Sequence, residues 1–286
     1  MSHFCSPLRY PGGKNCIFPF VSRLFRENEL IGSSYAEPYA GGAGLALRLL
    51  FEEYVSKIHL NDLDYSIYSF WAAVLERNDA LCAWIEDVEV SMDSWRLYKA
   101  IQNLGNAADP FEMAKSTFFL NRTNVSGVLI GGVIGGQDQL GKFKIDARFN
   151  KADLIARIRK IGQFKDRIKL TNLDGIDFVR KIDSKDENIF IYLDPPYFQK
   201  GADLYLNFYI ESDHRRLAKH VHRLRNRWMV SYDNHDFILN LYASRKRLLY
   251  RLSQSASNRV GREVLVFSEN LMLDRSSQAL SEARFI

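Results

Sequence analysis

The sequence predicts an α/β fold in which helices cover a mixed sheet of seven strands, with an inserted, mainly helical domain. Three observations lead to this prediction. From residue 33 onward, short apolar runs alternate with stretches of helical spacing, and the runs end on polar residues or glycine. Such alternation is typical of a mostly parallel sheet packed against helices. The interval 75–160 does not follow the alternation, so it is the predicted insertion.

Seven apolar runs are the predicted strands. They span residues 33–39, 56–64, 166–174, 188–196, 227–233, 245–254 and 262–269. The last two flank the segment SASNRVG and predict an antiparallel C-terminal hairpin. Helical spacing follows three of the earlier runs, over residues 41–54, 65–78 and 212–227, which favours parallel pairing of those strands.

The same pattern divides the chain into domains. Residues 1–74 and 161–270 are predicted to form the sheet domain, and residues 75–160 the insertion. Within the insertion, residues 127–146 read GVLIGGVIGGQDQLGKFKID, a glycine-rich signal that predicts a β-hairpin. Residues 271–286 are predicted to be a loosely attached tail.

The composition allows a nucleic-acid partner without arguing for one. The net charge is +5, from 39 Lys+Arg against 34 Asp+Glu, which is only mildly basic. No segment approaches the ~20 uninterrupted apolar residues of a membrane helix, and the N-terminus lacks an apolar signal core. A cytoplasmic protein is therefore expected. Cys5, Cys16 and Cys82 are scattered, with no CxxC pair, and predict reduced thiols and no zinc site.

A glycine-rich turn after the first predicted strand is the first candidate binding feature. EPYAGGAGLAL spans residues 37–47, where glycines let the backbone approach a ligand and a helix N-terminus follows. Such a turn can also serve only to pack a helix on a strand. Asp62 ends the next strand, where an acid holds a ribose hydroxyl in nucleotide-binding folds; its alternative role is a helix N-cap. Together the two features suggest a cofactor that contains a nucleoside.

The tetrapeptide DPPY at residues 194–197 follows an apolar strand and is the strongest chemical signal. The prolines turn the chain and leave the Asp194 carboxylate and the Pro195 carbonyl as acceptors. An exocyclic amine on a nucleobase is a poor nucleophile, because its lone pair is delocalised into the ring. Two acceptors on its N–H bonds would localise that lone pair and stabilise the charge that develops during attack. Tyr197 can stack on the base, which must leave the duplex to reach such a pocket.

Seven motifs in this order resemble the Dam-like DNA adenine-N6 methyltransferases, over about residues 7–268. The motifs are PLRYPGGK (7–14), EPYAGGAG (37–44), NDLD (61–64), FFLNRTNVSG (118–127), NLDGIDF (172–178), DPPYF (194–198) and SASNRVGREVLVF (255–267). The resemblance implies a Rossmann-like sheet, S-adenosylmethionine as the methyl donor and no metal. Consistently, the chain contains no Pro-Cys pair of the cytosine-C5 enzymes.

The resemblance also implies roles for individual residues. The catalytic motif comprises Asp194, Pro195, Pro196 and Tyr197. The cofactor would contact Tyr10, Lys14, Glu37, Pro38, Tyr39, Ala40, Gly41, Gly42, Asp62, Asp174 and Asp194, with Asp62 at its ribose and Asp174 at its adenine. The loop departs from the family pattern twice: Tyr39 replaces a phenylalanine, and Ala43 replaces a glycine.

Double-stranded DNA is the partner that the resemblance implies. Predicted DNA contacts are Arg9, Asn121, Arg122, Asn124, Lys142, Arg259 and Arg262. Asn121 and Arg122 have an alternative role, in which they brace the inserted domain. Arg9 matches a lysine that contacts the first guanine, and arginine can bond guanine with two hydrogen bonds. Enzymes of this group that read GATC carry a basic residue where this chain has Ile130, so a target other than GATC is expected.

Two alternatives stay open. One is the same transfer to RNA or to cytosine N4, because DPPY serves exocyclic amines in general. The other is a catalytically silent DNA-binding module, against which the intact DPPY motif and cofactor loop argue. A monomer is expected, since one site and one recognition domain can modify one strand at a time. The sequence is compatible with a cognate restriction endonuclease but does not imply one.

Overall fold

The computed structural model describes residues 5–9, 13–184, 188–199, 209–253 and 260–286. Its centre is a mixed sheet with the strand order β3-β2-β1-β4-β5-β7-β6-β8. The strands are β1 (Ser34–Glu37), β2 (Lys57–Asn61), β3 (Ile168–Thr171), β4 (Ile189–Leu193), β5 (Trp228–Asp233), β6 (Arg247–Ser253), β7 (Val260–Phe267) and β8 (Arg284–Phe285). The first five pair in parallel, whereas β6, β7 and β8 pair antiparallel. The predicted mixed sheet and its C-terminal hairpin are confirmed, with one strand more than predicted.

Helices follow the parallel strands and fill the insertion. They are α1 (Phe18–Glu27), α2 (Gly44–Phe51), α3 (Tyr65–Glu76), α4 (Asn78–Asp87), α5 (Met92–Asn103), α6 (Pro110–Thr123), α7 (Lys151–Gln163), α8 (Gly175–Asp183), α9 (Glu211–Val221) and α10 (Asp236–Leu241). Several begin at an acidic or amide side chain that accepts a hydrogen bond from a backbone N–H of the first turn: Asp64 caps α3, Asp109 caps α6, Asn150 caps α7 and Asp174 caps α8. Such caps satisfy donors that the helix itself leaves unpaired.

The sheet separates two apolar cores. In β4, Phe190 and Tyr192 point into one core while Ile191 and Leu193 point into the other, as the two-residue period of a strand requires. Both faces are buried, which is why the central strands read as nearly continuous apolar runs. Phe118 from the insertion belongs to the first of these cores, so the helical insertion packs directly on the sheet domain. The predicted domain boundaries stay a prediction.

The β-hairpin that the glycine-rich stretch predicted is not formed. Residues 128–144 contain turns and no strand, and only an isolated bridge joins Asn124 to Val133. Gly135 and Gly136 adopt φ values of +89° and +78°, which are incompatible with extended backbone. The glycines therefore support a sequence of tight turns instead of two paired strands.

The C-terminal tail is not loosely attached, contrary to the prediction. Leu271 and Leu273 are buried, and residues 284–285 form β8 at the edge of the sheet. The buried Asn28 side chain at the end of α1 pairs with the Met272 backbone: its Nδ2 donates to the carbonyl at 2.8 Å and its Oδ1 accepts from the N–H at 2.8 Å. These contacts fix the tail against α1.

Substitution at alternate tail positions tests this attachment. Leu273→Ala should lower the free energy of unfolding by about 2–4 kcal/mol, because it leaves a cavity in the core. Met272→Ala, whose side chain is 55% exposed, is the matched control and should change it by less than about 0.5 kcal/mol. Urea denaturation measures both. Equal effects of the two variants would contradict a packed tail.

Candidate active site

The candidate site lies where five parallel strands end. β1, β2, β3, β4 and β5 run in the same direction, so the residues after them meet at one edge of the sheet. Ligands of open α/β sheets bind at this edge. One continuous pocket occurs there, and the residues lining it include Lys14, Glu37 to Leu45, Asp62, Asp64, Asn121, Gly127 to Ile130, Gly175, Tyr192, Asp194, Pro196 and Tyr209.

The glycine turn after β1 forms one wall of this pocket. Its backbone is fixed by two hydrogen bonds: Ala40 N donates to Asn61 O at 2.8 Å, and the buried Trp71 Nε1 donates to Gly41 O at 2.8 Å. Ala43 occupies the left-handed region at φ +47°, a conformation that glycine adopts without strain. This explains why the family pattern has glycine where this chain has Ala43.

Asp62 ties the glycine turn to the end of β2. Its Oδ2 accepts a hydrogen bond from Gly41 N at 2.8 Å, and its Oδ1 accepts one from Asp64 N at 3.0 Å. Burial and the neighbouring Asp64 raise the pKa of Asp62 to about 7. The N-cap role considered for Asp62 belongs to Asp64, so Asp62 is free of that role and its carboxylate faces the pocket.

Tyr39 links the glycine turn to two other elements. Its hydroxyl lies 2.9 Å from the Tyr209 hydroxyl, just before α9. At the start of α8, a Cβ built on Gly175 would lie 2.7 Å from the Tyr39 ring, so glycine is required for this close packing. The hydroxyl that distinguishes Tyr39 from the family phenylalanine is therefore used within the protein.

Asp194, the first residue of DPPY, is held from two sides. Lys14 Nζ donates to Asp194 Oδ2 at 3.0 Å, and Ser231 Oγ donates to Asp194 Oδ1 at 2.5 Å. Ser231 in turn lies 2.8 Å from the buried Tyr192 hydroxyl. Burial raises the pKa of Asp194, an effect that Lys14 partly offsets. The carboxylate is thus fixed in orientation and is more basic than an exposed aspartate.

The hydroxyl of Tyr197, the last residue of DPPY, both accepts and donates a hydrogen bond within the protein. It accepts a hydrogen bond from Lys14 Nζ at 2.7 Å and donates one to Glu263 Oε1 at 2.6 Å. Tyr250 donates to the other oxygen, Glu263 Oε2, at 2.5 Å. Sequence reasoning missed Ser231, Tyr250 and Glu263. The available signal for Glu263 was an acid inside an apolar strand, since an unpaired carboxylate would not be buried there.

The segment after DPPY is anchored to β5. Asp233 accepts hydrogen bonds from the backbone N–H groups of Phe198 at 3.0 Å and Gln199 at 2.9 Å. The Phe198 ring packs between His235 and Phe237, with centroids 4.5 and 4.7 Å away. These contacts hold the backbone next to the proposed DPPY acceptors. Sequence reasoning did not predict the role of Asp233 or the packing of Phe198.

Glu37 is the most deeply buried acid of the pocket. It is 5% exposed and accepts a hydrogen bond from Tyr35 at 2.8 Å. Burial raises its pKa to about 8, although the Tyr35 hydrogen bond acts in the opposite direction. Because strongly perturbed pKa values cluster at functional sites, Glu37 is a candidate functional residue of the pocket. A cation bound beside it would favour its charged form.

The predicted DNA-contact residues of the insertion have mostly internal contacts. Asn121 is buried; its Oδ1 accepts from Arg9 N and its Nδ2 donates to Arg9 O, both at 2.7 Å. Asn124 is also buried and accepts from Trp95 Nε1 at 2.7 Å. Arg122 Nε donates to Arg148 O at 2.7 Å, and burial beside Arg9 lowers the pKa of Arg122 to about 9. The contacts of Asn121 and Arg122 are those expected if the two residues brace the inserted domain.

The remaining predicted residues are at the surface or outside the described residues. Lys142 and Arg262 are exposed. Ile130 is 50% exposed and lies at the rim of the pocket. Tyr10 and Arg259 lie outside the described residues. Within the described ranges, no group of three or more His, Cys, Asp or Glu side chains could hold a metal ion, and no helix is long and apolar enough to cross a membrane.

The sheet order and the pocket at its strand ends are those of a Rossmann-like methyltransferase. The model of the D12 class N6 adenine-specific DNA methyltransferase family matches residues 10–256, so the chain belongs to this family. A search of curated proteins found no significant match. The resemblance stated from the motifs is confirmed: the chain is an enzyme that methylates adenine in DNA. Membership of this family argues against the RNA and cytosine acceptors and against the silent module.

The contact between Gly127 and Arg9 gives a test of the bracing arrangement. Gly127 has φ +77°, and a Cβ there would lie 2.2 Å from the Arg9 carbonyl oxygen. Gly127→Ala should lower the free energy of unfolding by about 2–4 kcal/mol, from backbone strain and overpacking. Gly132→Ala, where a Cβ meets nothing within 4 Å, should change it by less than about 1 kcal/mol. Urea denaturation of both variants measures this, and a tolerated Gly127→Ala would show that the Arg9 segment is not held there.

The raised pKa of Asp62 predicts a pH dependence of stability. Up to about pH 7 the folded protein keeps a proton on Asp62 that the unfolded chain loses near pH 4. Asp62 therefore makes stability fall as the pH rises from about 4 to about 7. The stability of Asp62→Asn relative to the wild type should therefore increase as the pH rises across that window. Glu37, whose pKa is also raised, contributes the same pH dependence to both proteins and cancels in the comparison. Denaturation at several pH values without cofactor measures the difference; a difference independent of pH would contradict the raised pKa.

Proposed function

We propose that the protein transfers a methyl group from S-adenosylmethionine to N6 of an adenine flipped out of duplex DNA. The observation that supports this most is the single pocket shared by the glycine turn, Asp62 and Asp194. A cofactor held by the glycine turn and Asp62 would supply its methyl group close to Asp194. The acceptor must leave the duplex, because its amino group otherwise lies inside the base stack.

The residues around the pocket suit S-adenosylmethionine. Gly41 and Gly42 leave room for close backbone approach, and Asp62 presents carboxylate oxygens that can accept from ribose hydroxyls. The buried Glu37 carboxyl suits the ammonium group of the methionine portion, which would lower its pKa. Asp174 caps α8 through Oδ1 and lies at the edge where the adenine portion would bind. Lys14, Pro38, Tyr39 and Ala40 complete the proposed contacts, with Tyr10 as a further proposed contact.

When bound, the cofactor supplies a methyl group on a sulfonium, which is activated for direct displacement. The protein prepares the acceptor. Asp194 and the Pro195 carbonyl accept hydrogen bonds from the adenine amino group, which localises the nitrogen lone pair toward the methyl group. Asp194 takes up the proton that the amino group loses. Its raised pKa suits this role. Tyr197 stacks on the base, and Pro196 fixes the turn that sets both in place. No covalent enzyme intermediate is required.

Duplex DNA would lie across the rim formed by the insertion and the C-terminal hairpin. Lys142, Arg262 and Arg259 are proposed to contact phosphates, and Arg9 a guanine. Asn121, Arg122 and Asn124 would act chiefly by holding this surface in place. Because Ile130 offers no hydrogen bond at the rim, we propose a target other than GATC. We further propose that the enzyme acts as a monomer in the cytoplasm.

Expression in a host without DNA methylation tests the proposal. Single-molecule sequencing of the host genome should show N6-methyladenine within one short consensus that differs from GATC. N4-methylcytosine would contradict the choice of base, and methylated GATC would contradict the argument from Ile130. Soluble protein with an unmodified genome would contradict the proposed activity.

The role of Asp194 predicts a separation of turnover from cofactor binding. Asp194→Ala should reduce methyl transfer by at least about 100-fold, because the amino group loses a preorganised acceptor. Its cofactor binding should be largely retained, with a Kd that rises much less than turnover falls, because Asp194 is one of many proposed cofactor contacts and the glycine turn is unchanged. Labelled-methyl transfer and calorimetric titration measure the two quantities. Asp166→Ala, an exposed acid just before β3 and away from the site edge, is the control; an Asp194→Ala variant with normal turnover would refute the role.

A further inference from the structure

We propose that Glu263 is a positioning residue for methyl transfer, which fixes the Tyr197 hydroxyl and the Lys14 ammonium next to Asp194. The inference rests on the proposed function of this site and adds a residue from a different part of the chain. Glu263 lies on β7, between β5 and β6 in the sheet. Its register partners are Asp233 on one side and Tyr250 on the other. It is 2% exposed.

Glu263 contacts two groups of the candidate active site, the Tyr197 hydroxyl and the Lys14 ammonium group. Its Oε1 accepts from Tyr197 OH at 2.6 Å, so the Tyr197 hydrogen points to Glu263 and the hydroxyl oxygen is left to accept from Lys14. Its Oε2 lies 3.9 Å from Lys14 Nζ. Lys14 in turn donates to Asp194. Moving Glu263 would therefore release both the ring that stacks on the base and the cation that orients the acceptor.

Tyr250 holds Glu263 itself in place. Its hydroxyl donates to Oε2 at 2.5 Å from the neighbouring strand β6. The Glu263 carboxyl group thus has hydrogen bonds on both oxygens and a cation nearby, which offsets the cost of burying it. Its geometry is set by the β6–β7 hairpin, whose register is fixed over seven residue pairs.

Stability alone does not account for a carboxylate at this position. Glu37, Asp194 and Glu263 are three acids around one lysine, and a buried ionic group is often replaceable by apolar residues without loss of stability. A negative charge near Asp194 raises the pKa of Asp194, because a nearby like charge favours the protonated form of a carboxyl group. Glu263 thereby helps to raise the pKa of Asp194 and makes it a stronger acceptor for the amino-group proton.

Glu263→Gln tests the proposal, since it keeps the shape of the side chain and removes its charge. The kcat for methyl transfer should fall about 10- to 100-fold through misplacement of Tyr197 and Lys14. The DNA KM should change less than about threefold, and the cofactor Kd should rise much less than kcat falls, because Lys14 is only one of the proposed cofactor contacts. A folded variant with wild-type kcat would overturn the proposal.

The pH dependence distinguishes positioning from a merely structural role. The groups that face Asp194 are Lys14, Ser231, the acids Glu37 and Glu263, and the tyrosines Tyr35, Tyr192, Tyr197 and Tyr232. Glu263→Gln removes one nearby negative charge, which should lower the pKa of Asp194. The acid limb of the pH profile of kcat should therefore move to lower pH. In cofactor-free protein, the ¹³C titration of the Asp194 carboxyl, assigned by its loss in Asp194→Asn, should shift to lower pH as well. An unmoved limb and titration would overturn the proposal.

Tyr250→Phe is the matched variant and retains the Glu263 charge. It should lower kcat by about 3- to 10-fold through loss of one hydrogen bond, without moving the acid limb to lower pH. If Glu263→Gln does not fold, Tyr250→Phe decides: a lowered kcat at unchanged cofactor affinity supports the proposal, and an unchanged kcat overturns it. Absence of transfer by the wild-type enzyme on any duplex would instead refute the proposed function.

Discussion

The ion pair between Lys14 and Asp194 connects the parts on which the site depends. It joins the N-terminal segment to the end of β4, and the Tyr197–Glu263 hydrogen bond extends the connection to β7. A buried ion pair contributes little to net stability, but removal of one partner is strongly unfavourable. The network therefore specifies geometry: the DPPY acceptors can occupy their positions only when three distant segments of the chain are correctly packed.

The sheet supplies the second constraint. Five parallel strands end at one edge, so the glycine turn, Asp62 and Asp194 meet although they are far apart in sequence. The insertion closes the same pocket from the other side through residues 127–130, whose position depends on the contact between Gly127 and Arg9. The proposed cofactor site, the proposed base site and the proposed DNA surface are thus adjacent, which suits an enzyme that must bring a donor and a base from a duplex together.

Features with local sequence signals were predictable, and those made by distant packing were not. The strands, the glycine turn and the position of DPPY after β4 follow from apolar runs and their polar ends, because strand ends are marked within a few residues. The roles of Glu263 and Ser231 depend on partners 66 and 37 residues away, which no local pattern encodes. The predicted hairpin failed because two of the glycines on which the prediction was based, Gly135 and Gly136, adopt positive φ in tight turns. The tail was misjudged because its backbone pairs with the Asn28 side chain at the end of α1, near the opposite end of the chain.

A ternary structure with S-adenosylhomocysteine and a duplex that contains the target site would show whether Asp194 and Pro195 hold a flipped adenine. The measured quantity is the set of distances from the acceptor nitrogen to Asp194 and to the Pro195 carbonyl. We expect an adenine outside the helix, with N6 within hydrogen-bond distance of both, its ring on Tyr197, and the cofactor product between Glu37 and Asp62. An adenine still stacked in the duplex, or a cofactor product bound away from the glycine turn, would contradict it.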